Sequence, residues 1–286
     1  MKIRFFTLSL CFIFLISFAP ALLASPKVVV TEKDQAIFLE KLHKFATHRN
    51  LSTGALMLEI ALDFKGTPYA DKTLDHSNSE QLIINLREFD CTTFVESCLA
   101  LALTIKKTNP SFSNYLNQLE RVRYRHGVVK GYESRLHYFS EWIIDNQEKG
   151  VVEDITGKIG GVIHPMNVSF MSSHPNFYAQ ISANPALINP IMAVEKKLST
   201  TKFFYIPKAQ VSSHLAEILD GDLIALTTKI AGLDVSHLGI AYKQDGTLRL
   251  LNASSLLGSV SITPKPLIGY LNDSKNCSGI FVIRPK

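Results

Sequence analysis

The stretch Glu88-Phe89-Asp90-Cys91-Thr92-Thr93-Phe94-Val95-Glu96 sets an acid and a cysteine directly before a long apolar run, and this junction fixes where a central helix begins. Phe94, Val95, Cys98, Leu99, Ala102, Leu103 and Ile105 recur three and four apart, the spacing of a helix with one buried face. Asp90 is then the N-cap and Cys91 the first helical residue, with an end expected near Thr108–Pro110. Unpaired N–H groups at a helix start favour a thiolate and lower a thiol from its free value of about 8.5. The competing reading is that unpaired cysteines serve as small buried hydrophobes. Cys98, mid-helix on the apolar side, fits that role; at roughly 10 Å along the axis it is too far from Cys91 for a bridge. Cys91, among polar threonines, fits a reactive thiol equally well.

The first residues have a secretory pattern. Lys2 and Arg4 precede an apolar run from Phe5 to Leu23, followed by Ala24-Ser25, so residues 1–24 read as a signal peptide cut near Ala24. An uncleaved anchor is the alternative, because the run nearly reaches bilayer length. No second run approaches that length, so no stable membrane insertion is expected once the signal is removed. Loss of Lys2 and Arg4 takes the formal charge from +5 to +3 without any block of like charge, which argues against nucleic acid as partner. Roughly 260 residues remain, enough for a large core, and residues 25–286 read as one domain. The three cysteines left in an oxidising compartment leave at least one unpaired, with a Cys98–Cys277 bridge as the alternative to a core role for Cys98.

Amphipathic spacing predicts helices over Lys33–Thr47, Gly54–Phe64, Phe112–Val122 and Ser134–Asp145, the last carrying the lone Trp142. Lys65-Gly66-Thr67-Pro68-Tyr69 breaks the second of these and presents a tyrosine at a turn. Between Val151 and Ser199, prolines at 165, 175, 185 and 190 cut the chain into short pieces. Residues 155–162 and 168–170 read as strands there, with helix resuming over 190–198. The region is too long for a plain loop, so an inserted side lobe of about 110–200 is expected. From Phe203 onward, strands are predicted at 203–207, 222–227, 234–242, 247–253 and 280–283. Helices first and strands afterwards make an α+β fold, with N-terminal helices packed on a C-terminal antiparallel sheet.

The turn Asp245-Gly246 sets the register of its hairpin. Paired residue numbers sum to a constant, which sets His237 opposite Ser254, diagonal to Asn252, and all three on one face. Val235, Gly239 and Ala241 are the neighbours expected on that face, small enough to admit another element. If the Cys91 helix packs its start there, Cys91 is a nucleophile, His237 its base, and Asn252 or Ser254 the group orienting the imidazole. The competing reading makes His237 a hydrogen-bonded core residue and Asn252 a turn residue.

These motifs resemble the NlpC-type cell-wall hydrolases, papain-like cysteine enzymes with a permuted core. The resemblance is carried by Phe89-Asp90-Cys91-Thr92-Thr93-Phe94-Val95-Glu96 and the distant Ser236-His237-Leu238-Gly239. Gly66-Thr67-Pro68-Tyr69, Asn85-Leu86-Arg87-Glu88, Ser134-Arg135-Leu136-His137-Tyr138-Phe139-Ser140-Glu141-Trp142 and Asn252-Ala253-Ser254-Ser255 are similar to the N-acetylmuramoyl-L-alanine amidase-like branch. The resemblance implies a periplasmic cysteine amidase that cuts the amide between muramic acid and L-alanine in peptidoglycan fragments, or muropeptides. It also implies that Tyr69 assists the backbone N–H of Cys91 in holding the oxyanion. The third catalytic position, commonly histidine in the family, is Asn252 here, which can still accept from an imidazole N–H.

Stem-peptide carboxylates need cationic partners, and Arg135 is the first candidate because a guanidinium grips a carboxylate with two bonds. His137 and Trp142 are further candidates for substrate contact, with a core role as the competing reading, and Ser236 is another candidate. No cofactor is expected, and no metal site: there is no His-Glu-x-x-His, and His164 and His174 precede prolines without carboxylates at ligand spacing. A stem-peptide endopeptidase cutting after D-glutamate with the same residues, and an inactive wall-binding protein, are the competing functions.

Overall fold

The computed structural model describes residues 27–286 except 76 and 78, so the predicted signal peptide lies outside the described residues. A short parallel ladder joins β1 (Val28–Val29) to β2, and between them come α1 (Glu32–Lys44) and α2 (Thr53–Asp63), with β2 itself at Leu82–Ile83. Thr31 closes a capping box with Asp34 at the start of α1, and Ser52 accepts from Ala55 N at the start of α2. The central helix α3 (Cys91–Ile105) follows, then α4 (Phe112–Arg123) and α5 (Phe139–Glu148). Phe94, Leu99, Tyr115, Leu119 and Trp142 are all fully buried in one cluster, so α3, α4 and α5 share a single core.

Two strands, β3 (Val152–Asp154) and β4 (Val162–His164), precede three short helices, α6 (Phe170–Ser173), α7 (Ala179–Ala183) and α8 (Ile188–Thr200). Met171, Ile181, Ile191 and Leu198 from these helices join the same core cluster as α3. The expected strand over 155–162 is instead a turn between β3 and β4. The expected strand over 168–170 is reduced to one bridge between Val168 and Gly232 before α6 begins. Predicted helix over 134–145 starts only at Phe139. Leu136 N donates to Arg123 O, and Tyr124 bridges Arg135, which holds the chain extended up to the helix.

The C-terminal part builds the sheet from β5 (Phe203–Pro207), β6 (Leu223–Thr228), β7 (Val235–Gln244), β8 (Thr247–Ser254) and β9 (Ser259–Ile262), then α9 (Leu267–Asp273) and β10 (Cys277–Pro285). Strand order is β4-β5-β10-β6-β7-β8-β9, with β3 also paired to β10 and every pair antiparallel. Side chains alternate across it. Leu223, Ala225, Leu238, Ile240, Leu251, Ala253, Phe281 and Ile283 face the helical core. Ile224, Leu226, Ala241, Leu250, Ile280 and Val282 face a second core closed by Leu267 and Leu271 of α9. Buried on both faces, β6 is the middle strand of the sheet, and the chain enters it through Gly221, with φ +83°. A Cβ there would stand 2.1 Å from Gly54 O at the start of α2, so only glycine lets the helix and strand backbones touch.

Candidate active site

Asp90 accepts from Thr93 N at 2.7 Å while Thr93 Oγ1 accepts from Asp90 N at 3.0 Å, a reciprocal cap that starts α3 at Cys91. The thiol is half-buried and free, as are the buried Cys98 and Cys277, so no Cys98–Cys277 bridge forms. Position at a helix start predicts a lowered thiol pKa, yet burial, helped by the adjacent Asp90 carboxylate, pushes it up to about 11. The backbone N–H of Leu238 and the Thr92 hydroxyl act in the opposite direction. Loss of hydration outweighs the helix end, and the resting group at neutral pH is the thiol.

His237 owes its orientation to a bulge. On β6, Leu226 pairs with His237 but the next residue, Thr227, pairs with Val235, so Ser236 is the extra residue of β7. Val235 therefore packs toward the helical core, whereas His237 stands with Leu226 on the face covered by α9. This corrects two sequence expectations. Val235 does not share the His237 face, and α3 does not pack on it: α3 crosses the opposite face, and its first residue reaches the end of β7 beside Leu238. Even the space expected at Gly239 is taken, since a Cβ there would meet Leu250 at 2.4 Å.

The predicted hairpin register holds, with Gln244 opposite Thr247 and Ile240 opposite Leu251. His237 Nε2 lies 3.0 Å from Asn252 Oδ1. Asn252 Nδ2 donates to Leu250 O and Ser261 O, both at 3.3 Å, which turns its carbonyl oxygen to the imidazole. The proton of neutral His237 therefore sits on Nε2, and Nδ1 carries the lone pair that can take a proton. Burial lowers the His237 pKa, and the Asn252 hydrogen bond opposes that shift. Of the two residues offered by sequence, Asn252 is the partner; Ser254 Oγ instead accepts from Leu257 N in the following turn.

Cys91 and His237 line one cleft together with Ser236, Leu238, His137, Tyr138, Met171, Tyr178 and Asp234. Tyr69 is brought beside Cys91 by Phe89 N donating to Pro68 O and Ala70 N to Phe89 O. Burial raises its phenol pKa, as do the charges of Cys91 and Asp90. Ser236 is exposed at the cleft rim.

Arg135 is committed elsewhere. Its Nε and Nη2 bind Glu80 at 2.9 and 2.8 Å, Nη1 binds Asp75 at 3.0 Å, and Nη2 also reaches Leu74 O. The predicted grip on a substrate carboxylate is thus occupied by the protein's own acids, and Arg135 does not line the cleft. Trp142 is corrected to core: fully buried and stacked on Phe139 at 4.9 Å, it has no surface to offer a substrate. His137 does line the cleft. Its Nε2 donates to Tyr132 O at 2.7 Å, and burial together with the Arg135 charge pulls its pKa down to about 3.

That shift carries a stability consequence. Unfolded, His137 takes a proton near pH 6.5; folded, it resists until about pH 3, so its contribution is complete above pH 6.5 and is lost as pH falls toward 3. Urea unfolding of the protein and of His137→Gln at pH 7 and pH 4 is expected to show a loss larger by up to a few kcal/mol in the parent. Equal losses would exclude this histidine as the acid-sensitive group.

Sequence reasoning missed Asp234, Tyr138, Met171 and Tyr178 in the cleft, and Tyr270 near it. Only Tyr270 had a local signal, the Leu267/Leu271 spacing after Pro266 that marks α9. Among the described residues, His126, Asp145 and Glu148 could gather around a cation, but the Lys149 ammonium already pairs with Asp145 and none of the three lines the cleft.

A family model described as AmiA-like, N-acetylmuramoyl-L-alanine amidase-like, matches residues 59–280. The crystal structure of an N-acetylmuramoyl-L-alanine amidase from Bacteroides uniformis ATCC 8492 is 39% identical with a TM-score of 0.78, covering 82% of this chain and 99% of that one. A Bacteroides fragilis structure bearing a xylanase name is 41% identical with a TM-score of 0.76, covering 79% and 99%. Protein LPG0564 from Legionella pneumophila, at 24% identity and a TM-score of 0.67 over 88% of this chain and 95% of that one, shares the fold. Among curated protein sequences, none matches.

Proposed function

The chain belongs to the N-acetylmuramoyl-L-alanine amidase-like family, and from that premise we propose that it is an NlpC-type cysteine amidase with a papain-like core. Its reaction is hydrolysis of the amide between muramic acid and the L-alanine of muropeptides. The observation that carries the reading is the His237–Asn252 bond at 3.0 Å, which leaves the basic Nδ1 of an imidazole that lines one cleft with Cys91. A xylanase reading has no such support. Glycoside hydrolysis uses a pair of carboxylates flanking the bond, and Asp234 is the single carboxylate lining this cleft.

The resting thiol and imidazole are both neutral at pH 7, so proton transfer accompanies attack. His237 Nδ1 takes the Cys91 proton as Sγ bonds to the carbonyl carbon of the substrate, and the carbonyl π pair moves to oxygen. The backbone N–H of Cys91 and the Tyr69 hydroxyl are the donors offered to that oxyanion. Collapse expels the L-alanine nitrogen, which takes the proton from His237 and leaves an acyl-thioester. Water, deprotonated by the same imidazole, then releases the muramic carboxylate and restores the thiol. Asn252 holds the ring throughout. With Arg135 paired to Glu80 and Asp75, the stem carboxylates are not assigned to it. The basic and apolar N-terminal residues support export to the periplasm.

Mass spectrometry of products from a defined muramyl peptide tests the bond. Free sugar and an intact peptide beginning at L-alanine, both absent with Cys91→Ala, are expected. Scission after D-glutamate would reassign the protein as an endopeptidase with the same residues, and no product from either protein would leave a binding role.

A further inference from the structure

A second pocket opens beside the Cys91 cleft, and the two share Leu233 and Asp234 as a common wall. It holds about 220 Å³, room for one acetylated sugar ring, against about 180 Å³ for the cleft itself. The segment before α6 and the turn between β6 and β7 form its sides. Ser169 N and Phe170 N both donate to Gly232 O at 2.9 Å, and Val168 N donates to Ser199 Oγ of α8 at 2.9 Å, so both sides are tied down. The lining is polar without being cationic. Thr228 Oγ1 accepts from Ile230 N at 3.2 Å and donates to no described residue, while the exposed Asn167 amide bonds to none. His164 stacks on Tyr205 at 4.2 Å, and burial lowers its pKa, so it is a neutral imidazole at pH 7. No lysine or arginine lines the pocket. The buried acid of the shared wall, Asp234, accepts one backbone N–H on each oxygen, from Ser140 and Val235, both at 2.7 Å.

We infer that this pocket is the subsite for the uncharged N-acetylated sugar of the muropeptide, and that the stem peptide leaves the cleft on another side. The inference rests on the muropeptide reading of the Cys91 cleft. In such a substrate the muramic carboxyl is tied up in the amide, so the sugar and its lactyl arm carry no charge, whereas the stem carries free carboxylates. An anion in this pocket would lose its water and meet an acid with no cation beside it. A sugar ring brings what the lining matches. Its hydroxyls and acetamide suit Asn167, Thr228 and the remaining lone pairs of Asp234, and its C–H faces suit Met166, Val168 and Leu233. The reach agrees. Asp234 lies three residues before His237, roughly 10 Å at the rise of a strand. The muramic ring is joined to the scissile carbonyl through only the lactyl carbon and the ether oxygen, so ring and substituents extend over that distance.

Two peptides that differ only in the sugar test this by binding, without turnover. The Cys91→Ala protein is titrated calorimetrically with N-acetylmuramoyl-L-alanyl-D-isoglutamate and with lactoyl-L-alanyl-D-isoglutamate. The first is expected to bind at least tenfold tighter, and the ratio of the two Kd values is the readout. Asn167→Ala in the same background is expected to cut that ratio about fivefold, the loss of one hydrogen-bonding side chain. Asn167→Trp, which fills the pocket from its exposed side, is expected to bring the ratio close to one. A ratio unchanged in both variants overturns the subsite. So does a loss falling equally on the two peptides, which would put the stem in the pocket, and so does the absence of binding by either peptide. If Asn167→Trp does not fold, the alanine variant decides alone. The amidase reading fails separately, when the protein with Cys91 intact releases no product from the muramyl peptide.

Discussion

Replacing His237 with alanine is expected to lower kcat/KM on a muramyl peptide by about four orders of magnitude, because the thiol is not ionised at rest and has no other base. In sites that hold a preformed thiolate, loss of the histidine leaves a nucleophile behind. Here burial keeps Cys91 protonated near neutrality, so the variant loses both the attack and the proton for the leaving nitrogen. The partner residue gives a graded control. Asn252→Ala keeps the imidazole but releases its Nε2, freeing the ring to present the wrong tautomer, and a fall of roughly a hundredfold is expected. Asn252→Asp separates charge from geometry. A carboxylate beside Nε2 stabilises the imidazolium, raises the His237 pKa, and moves the acid limb of kcat/KM to higher pH. In the parent that limb lies below pH 6.5, because burial lowers the His237 pKa and the base is lost only when the ring finally protonates. Stopped assays from pH 4 to 9 on the three variants read all of this. An Asn252→Asp limb at the parental pH would mean that Asn252 does not govern the imidazole.

The bulge at Ser236 explains how residues from two sides of a sheet come to share a cleft. Without the extra residue, strict alternation would place His237 and Val235 on one face, as the sequence suggests, and the Cys91 helix would have to lie on that face to meet it. With it, Val235 stays with the helical core while His237 turns to the α9 side at the strand end, where the α3 start arrives from the opposite layer. Asn252 can then hold the ring from the far face without crowding Cys91.

Legibility followed the range of the interactions involved. The start of the central helix was readable because its cap bonds lie within three residues, at Asp90. The Asp245-Gly246 turn was readable because it fixes its own register, and with it the His237–Asn252 pair. The bulge was not, because it exists only in the pairing of β7 with β6, whose flanking pairs Thr227–Val235 and Leu226–His237 join separate strands. Arg135 was misread for a similar reason. A guanidinium suits a carboxylate whether that carboxylate is substrate or Glu80, and nothing local to Arg135 tells that the acid 55 residues earlier folds against it. Trp142, offered for substrate contact with a core role as the competing reading, takes the core role, stacked on Phe139.

The α3 helix that presents Cys91 is locked by a buried ion pair, and removing one partner is expected to be the costliest single change in the molecule. Glu96 and Arg123 side chains are each 3% exposed, with Arg123 Nε donating to Glu96 Oε2 at 2.7 Å and Nη1 to Ile83 O at 2.7 Å. One guanidinium thus ties α3, α4 and β2 together a turn and a half from Cys91. Glu96→Ala leaves that cation buried without its partner, and a loss of about 3–5 kcal/mol in unfolding free energy is expected. Glu96→Gln keeps an acceptor at the same place and should lose less. Because desolvating two charges consumes most of their attraction, the double replacement Glu96→Leu with Arg123→Met is expected to be far milder than Glu96→Ala alone. Urea unfolding of the single and double variants, closed as a cycle, measures the coupling directly. A double variant as unstable as the sum of its parts would mean that the pair contributes no coupling. If it recovers stability but not alkylation of Cys91, the pair sets the angle of α3 as well as its hold.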